Sequence, residues 1–225
     1  MRKLLWTLAL AALPLASAQA NVVITFGQTS GSNTLTATPN GTDTATSLSA
    51  QNVTINVSQC IAGPGCLGAE FLDITATSTD QAQQVGTAVT QHYNGSFEIT
   101  SLPSGGVNIL SGTFTDAVFG SGPQLTLAVG APPDTLTLSS DIIPAADLAQ
   151  PNAIGFTFTN VSPPVSAIGS GCAQFPNSVQ PCTLGQMTAA IAGNASATSA
   201  VAEPSALALL AAALLCLTLV RGRSA

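Results

Sequence analysis

Val53-Thr54-Ile55-Asn56-Val57 puts three aliphatic side chains on one face of an extended chain and two polar ones on the other. That alternation marks a strand with one buried and one wet face. The same pattern recurs in Leu125-Thr126-Leu127-Ala128-Val129, in Leu136-Thr137-Leu138 and in Ile154-Gly155-Phe156-Thr157-Phe158. Further strands are predicted over Val22–Phe26, Phe71–Thr77, Ser96–Thr100, Ile109–Phe114 and Met187–Ala192. Turn-forming residues separate them: Pro39-Asn40-Gly41, Asn94-Gly95, Pro103-Ser104-Gly105-Gly106, Gly120-Ser121-Gly122-Pro123 and Ala131-Pro132-Pro133-Asp134. Gln81 to Val89 reads as either a helical turn or a polar loop. No apolar stripe of helical period is long enough for a crossover helix, so the expected fold is all-β, an antiparallel β-sandwich over residues 21–192.

The polar positions of these strands carry Thr and Ser where most proteins place Lys and Glu. Of 225 residues, 46% are hydrophobic and only 6% charged, with a net charge of −6. Arg2, Lys3, Arg221 and Arg223 are the only cations besides His92, so the nine acids from Asp43 to Asp147 have no Lys or Arg between them. This composition excludes a coiled coil, a solvating disordered tail and a basic nucleic-acid binder. Strand edges without lysine are also open to pairing with a second chain.

Both ends read as addresses. Residues 1–20 form a secretory signal peptide: Arg2 and Lys3, an apolar run from Leu4 to Leu15, then the small-residue frames Ala16-Ser17-Ala18 and Ala18-Gln19-Ala20. Residues 193–202 read as a small-residue linker. Beyond it, Glu203-Pro204-Ser205 precedes an Ala/Leu-rich run to Val220 and a basic tail at 221–225. Pro204 suits a helix start, and Arg221 and Arg223 suit a helix end and a cytoplasmic side. A helix over 205–220 is about 24 Å long against about 30 Å of hydrocarbon. Snorkelling arginines and local thinning absorb the difference, so one C-terminal transmembrane helix is expected.

The ending AEPSALALLAAALLCLTLVRGRSA, residues 203–225 with Ala202 before them, resembles the PEP-CTERM sorting signal. Glu203 and Pro204 match its central Glu-Pro and Ser205 the small residue after it, whereas Ala202 stands where the family has a first proline and the tail holds two arginines. The resemblance implies recognition by an exosortase, a membrane enzyme of Gram-negative bacteria that make exopolysaccharide. The protein would be its substrate, processed near Glu203-Pro204 and delivered to the cell surface or matrix. A plain single-pass anchor is the alternative for the same residues.

Two close cysteine pairs, Cys60 with Cys66 and Cys172 with Cys182, read as local disulfides in an oxidising compartment, the pairing that needs least reach among three. Each contributes about 2–3 kcal/mol by loop closure. Cys216 lies in the apolar run.

Catalytic chemistry finds few supports. His92 is the sole histidine and lies beside Asn94-Gly95, with no Gly-x-Ser-x-Gly elbow anywhere. A P-loop is absent. Glu70, Asp73 and Glu98 are the nearest approach to a glycosidase pair, but Trp6 is the only Trp and Tyr93 the only Tyr, which leaves no aromatic platform for sugar. Asp141 with Asp147, or Asp73 with Asp80, could offer oxygens to calcium, without an Asp-x-Asp loop. Six Asn-x-Ser/Thr triplets, beginning at Asn40, are uninformative in so Thr-rich a chain. No catalytic, cofactor or metal site is therefore assigned. The expected role is structural or interactive, with exopolysaccharide or matrix as partner and the membrane as tether; a carbohydrate- or calcium-binding surface module is the alternative.

Overall fold

In a computed structural model, residues 20–198 are described apart from 31, 33, 42–44, 86, 104, 122–124, 130–133, 149–151, 170, 171 and 173–181. The stretch quoted first lies in β3 (Thr46–Cys60). Leu48 and Ala50 are buried, the exposed pair Gln51-Asn52 interrupts, and Val53, Ile55 and Val57 are buried again. Asn52 adopts a left-handed φ of 51° and forms the bulge that changes the phase, so both halves of the strand keep their apolar side inward. Asn and Asp tolerate that conformation better than other non-glycine residues.

The other strands are β1 (Ala20–Gln28), β2 (Leu35–Pro39), β4 (Gly68–Ser78), β5 (Gln83–Val85), β6 (Ala88–Leu102) and β7 (Gly105–Ser121). They continue with β8 (Leu125–Val129), β9 (Thr135–Ser139), β10 (Asn152–Ser162), β11 (Ala167–Ile168), β12 (Thr183–Leu184) and β13 (Met187–Thr198). Two short 3-10 turns, Gly63–Cys66 and Ala145–Leu148, complete the elements. Every strand predicted from the sequence falls within one of these. Gln83–Val85, in the segment left open between helical turn and loop, is strand.

The expected sandwich is corrected to a barrel. β1, β3, β4, β6, β7, β8, β10 and β13 pair in that order, all antiparallel, and β13 returns to β1 to close an eight-stranded ring. β2 bridges β3 and β13 beyond the end of β1, β9 extends β7, and β5 extends β6. Alternation cannot separate the two architectures, because each buries one face of every strand. What bends the sheet into a ring is the set of irregularities in its long strands: bulges at Asn52 in β3 and Asp116 in β7, and Asn160 in β10, all with left-handed φ. Closure also removes the free edges on most strands, which answers the expectation of edge-to-edge pairing.

Side chains fill the interior. Phe156 in β10 meets Phe97 of β6 across the barrel at 5.6 Å between ring centroids, and Phe26 of β1 at 6.1 Å. Phe119 stacks on Phe158 and takes Tyr93 edge-on, both at 6.1 Å. An eight-stranded barrel is just wide enough for such filling. Apolar residues line its inside and Thr and Ser its outside, the reverse of a barrel that crosses a bilayer with its strands.

Ala20 pairs with Thr198, so the barrel begins and ends at the same rim. Gly193–Thr198, read as the start of a linker, are therefore the second half of β13. No helix among the described residues is long and apolar enough to cross a membrane. The expected signal peptide, the helix 205–220, Cys216 and the sorting residues Glu203, Pro204, Ser205, Arg221 and Arg223 lie outside the described residues.

Candidate functional site

Strand register assembles a surface that no short motif announces. Ser162, Thr188, Thr36, Ser49, Thr75, Ser96, Thr113 and Thr137 stand directly opposite one another across β10, β13, β2, β3, β4, β6, β7 and β9. All lie on the outer face, none is buried, and eight strands at about 4.8 Å spacing make a hydroxyl belt roughly 34 Å long. A parallel row, Asp73–Glu98–Ser111–Ser139, runs beside it on β4, β6, β7 and β9.

Between these two rows is an open groove of about 420 Å³, lined by Asp73, Thr75, Ser96, Glu98, Ser111, Thr113, Thr137 and Ser139, with Ile74, Phe97 and Gly112 also contributing. Gly112 faces Phe97 in register, and a Cβ there would lie 2.5 Å from the Phe97 ring. Asp73 and Glu98 are directly cross-strand, and Asp73 Oδ1 accepts the Asn52 backbone N–H at the β3 bulge. Two carboxylates placed opposite each other repel, and the chain has no Lys or Arg between Leu4 and Val220 to compensate them. The groove thus offers hydroxyls and anionic acceptors and no cationic donor.

The sequence candidates distribute as follows. Of the three carboxylates considered for glycosidic chemistry, Asp73 and Glu98 meet in the groove, whereas Glu70 faces inward at the rim. Its Oε2 is buried without a hydrogen-bond partner, and desolvation holds its pKa above the ordinary glutamate value. His92 does not sit beside a turn: Asn94-Gly95 lies within β6. His92 Nδ1 lies 2.7 Å from Asp116 Oδ1, and its backbone N–H donates to Asp80 Oδ1 at 3.1 Å. Asp141 Oδ2 accepts the Asn108 N–H at 2.9 Å, and Asp147 lies in the second 3-10 turn. Among the described residues no group of three or more His, Cys, Asp and Glu is placed to hold a metal.

Cys60–Cys66 and Cys172–Cys182 are disulfides, with Cα–Cα distances of 6.1 and 5.1 Å. The second adjoins β12 at the barrel end opposite the rim where Ala20 pairs with Thr198, and a buried polar network missed by sequence reasoning receives β12 there. Thr46 Oγ1 bonds Thr183 Oγ1 at 2.6 Å and donates to the Leu184 carbonyl at 2.8 Å. Gln91 donates to the Asp80 carbonyl at 2.8 Å, while its Oε1 accepts from Tyr93 and from the Leu184 N–H, both at 3.1 Å. Burial pushes the Tyr93 phenol well above the usual tyrosine range. These buried groups answer one another, and the network works as a plug that holds β12 in place.

Compared with protein-family models, with curated proteins and with solved structures, the chain matches none.

Proposed function

We propose that this chain is an exported surface or extracellular-matrix protein with a structural or interaction role, tethered and processed through its PEP-CTERM-like ending. In this reading an exosortase-type enzyme recognises Glu203-Pro204-Ser205, the apolar run 205–220 holds the chain in the cytoplasmic membrane, and Arg221 and Arg223 orient it. The two disulfides support an oxidising compartment outside the cytoplasm. The observation that carries an interaction role is the belt of hydroxyls with its groove, on a barrel whose interior is already filled. Such a wall suits a neutral, polyhydroxylated polymer: the hydroxyls donate and accept hydrogen bonds and the carboxylates accept them from sugar hydroxyls, without selecting for anions.

Two measurements on the native protein test this. Intact mass of the chain from the cell surface or medium is expected to show a C-terminus near Glu203 only when the processing enzyme is present. Full-length chain ending at Ala225 in the inner membrane overturns the sorting reading. Binding to the host's own polysaccharide is expected to fall at least tenfold in Asp73→Ala/Glu98→Ala, and unchanged binding removes the groove from the account.

A further inference from the structure

Among the described residues seven large hydrophobic side chains are exposed, and five of them, Val22, Ile61, Leu67, Leu102 and Val107, gather at one rim of the barrel. They are 39% to 60% exposed. Their strand ends are neighbours around the ring: Val22 in β1, Ile61 bonded to the Val23 carbonyl just past β3, Leu67 before β4, Leu102 closing β6 and Val107 opening β7. The remaining two, Val85 in β5 and Ile168 in β11, are at the opposite end. Scattered exposed apolar residues need no explanation, but a cluster of loop tips on one rim does.

The same rim is where the chain leaves the barrel, since Thr198 pairs with Ala20. Six residues, 199–204, separate it from Ser205, where the apolar run begins. Fully extended they reach about 20–25 Å. Lys and Arg are absent from the barrel, so attraction to anionic headgroups cannot be what the rim provides. Asp141, held to Asn108 beside Val107, marks the side where the apolar patch stops.

We propose that this rim rests in the interface of a lipid bilayer, with Ile61, Leu67, Leu102 and Val107 inserted among the headgroups of neutral phospholipids, so that the hydroxyl belt and groove, which run across the strands of the barrel wall, stay clear of the lipid. The proposal rests on the reading of 205–220 as the membrane tether. It makes the barrel a docked body and not one swinging on a leash.

The full-length chain in phosphatidylcholine vesicles, with a carbene-generating photolabel dissolved in the lipid, provides the test. Labelled peptides are mapped by mass spectrometry. Peptides carrying Ile61–Leu67 and Leu102–Val107 are expected to take up at least fivefold more label than those carrying Val85 or Ile168. In Leu67→Ser/Leu102→Ser, two exposed positions whose change spares the core, rim labelling is expected to drop severalfold while 205–220 stays labelled. Label confined to 205–220 in the native chain overturns the proposal and leaves the tether standing. Rim labelling unchanged in the double variant overturns it as well. Absence of label from 205–220 and from the rim removes tether and proposal together.

Discussion

Glu70 concentrates the residue-scale physics of this molecule. It occupies an inward position in β4 between apolar neighbours and has an oxygen without a partner. Its pKa is raised in the folded chain by desolvation, so the folded state holds the carboxyl proton more tightly than the unfolded one. The contribution of this group to stability is then fully present at low pH and is lost as pH rises from the ordinary glutamate value through the raised one. Glu70→Met removes both the titration and the unsatisfied oxygen. It is expected to raise stability at pH 7 by about 1–2 kcal/mol and to flatten the melting temperature between pH 4 and 7 relative to the native chain. A variant as pH-dependent as the native protein in thermal melts would place the titrating group elsewhere. Glu70 was legible in the sequence as an acid one residue before the strand predicted over Phe71–Thr77. Its parity, even with Leu72 and Ile74 and opposite to Asp73, was legible too, and separates it from the groove.

At the scale of elements, the sequence was readable wherever side-chain period alone decides. The phase change from Leu48 and Ala50 to Val53 and Ile55 locates the bulge in β3, and that from Phe114 to Ala117 and Phe119 locates the one in β7. Asn94-Gly95 misleads because an Asn-Gly pair fits a hairpin and also fits the middle of a crowded strand. Here Asn94 Oδ1 accepts the N–H of the bulged Asp116 at 2.9 Å. Gly95 lies so close to β4 that a Cβ would sit 2.3 Å from the Thr75 carbonyl oxygen. The obstacle is backbone, which cannot swing aside. Gly95→Ala is therefore expected to destabilise the barrel by about 1–3 kcal/mol, read from the urea midpoint, with faster amide exchange along β4. A midpoint within error of the native one would mean that the two strands separate at no cost. The plug around Gln91 had no such periodic signal. Its members, Thr46, Gln91 and Thr183, come from distant parts of the chain and meet only when the end of the barrel is closed.

For the whole molecule, composition and alternation declared an all-β body, but the choice between sandwich and barrel depends on whether β13 reaches β1, and pairing partners leave no trace in a pattern that each strand satisfies alone. The hydroxyl belt was invisible for the same reason: a Thr on each of several strands becomes a surface only once the registers are known. The pairing of Ala20 with Thr198 also sets a clock. β1 is the first strand of the barrel to be made and needs β13, the last of the barrel, as its second neighbour. A chain growing from its N-terminus at about 5–20 residues per second holds an incomplete sheet for most of its synthesis. Truncated chains ending before Met187 are expected to stay sensitive to protease, and chains that include Thr198 to become resistant in one step. Gradual gain of resistance with length would show that part of the barrel stands alone. Because the last strand completes the first, folding waits until nearly all of the body has been made, and on the proposed export route that delay keeps the chain threadable through a narrow channel.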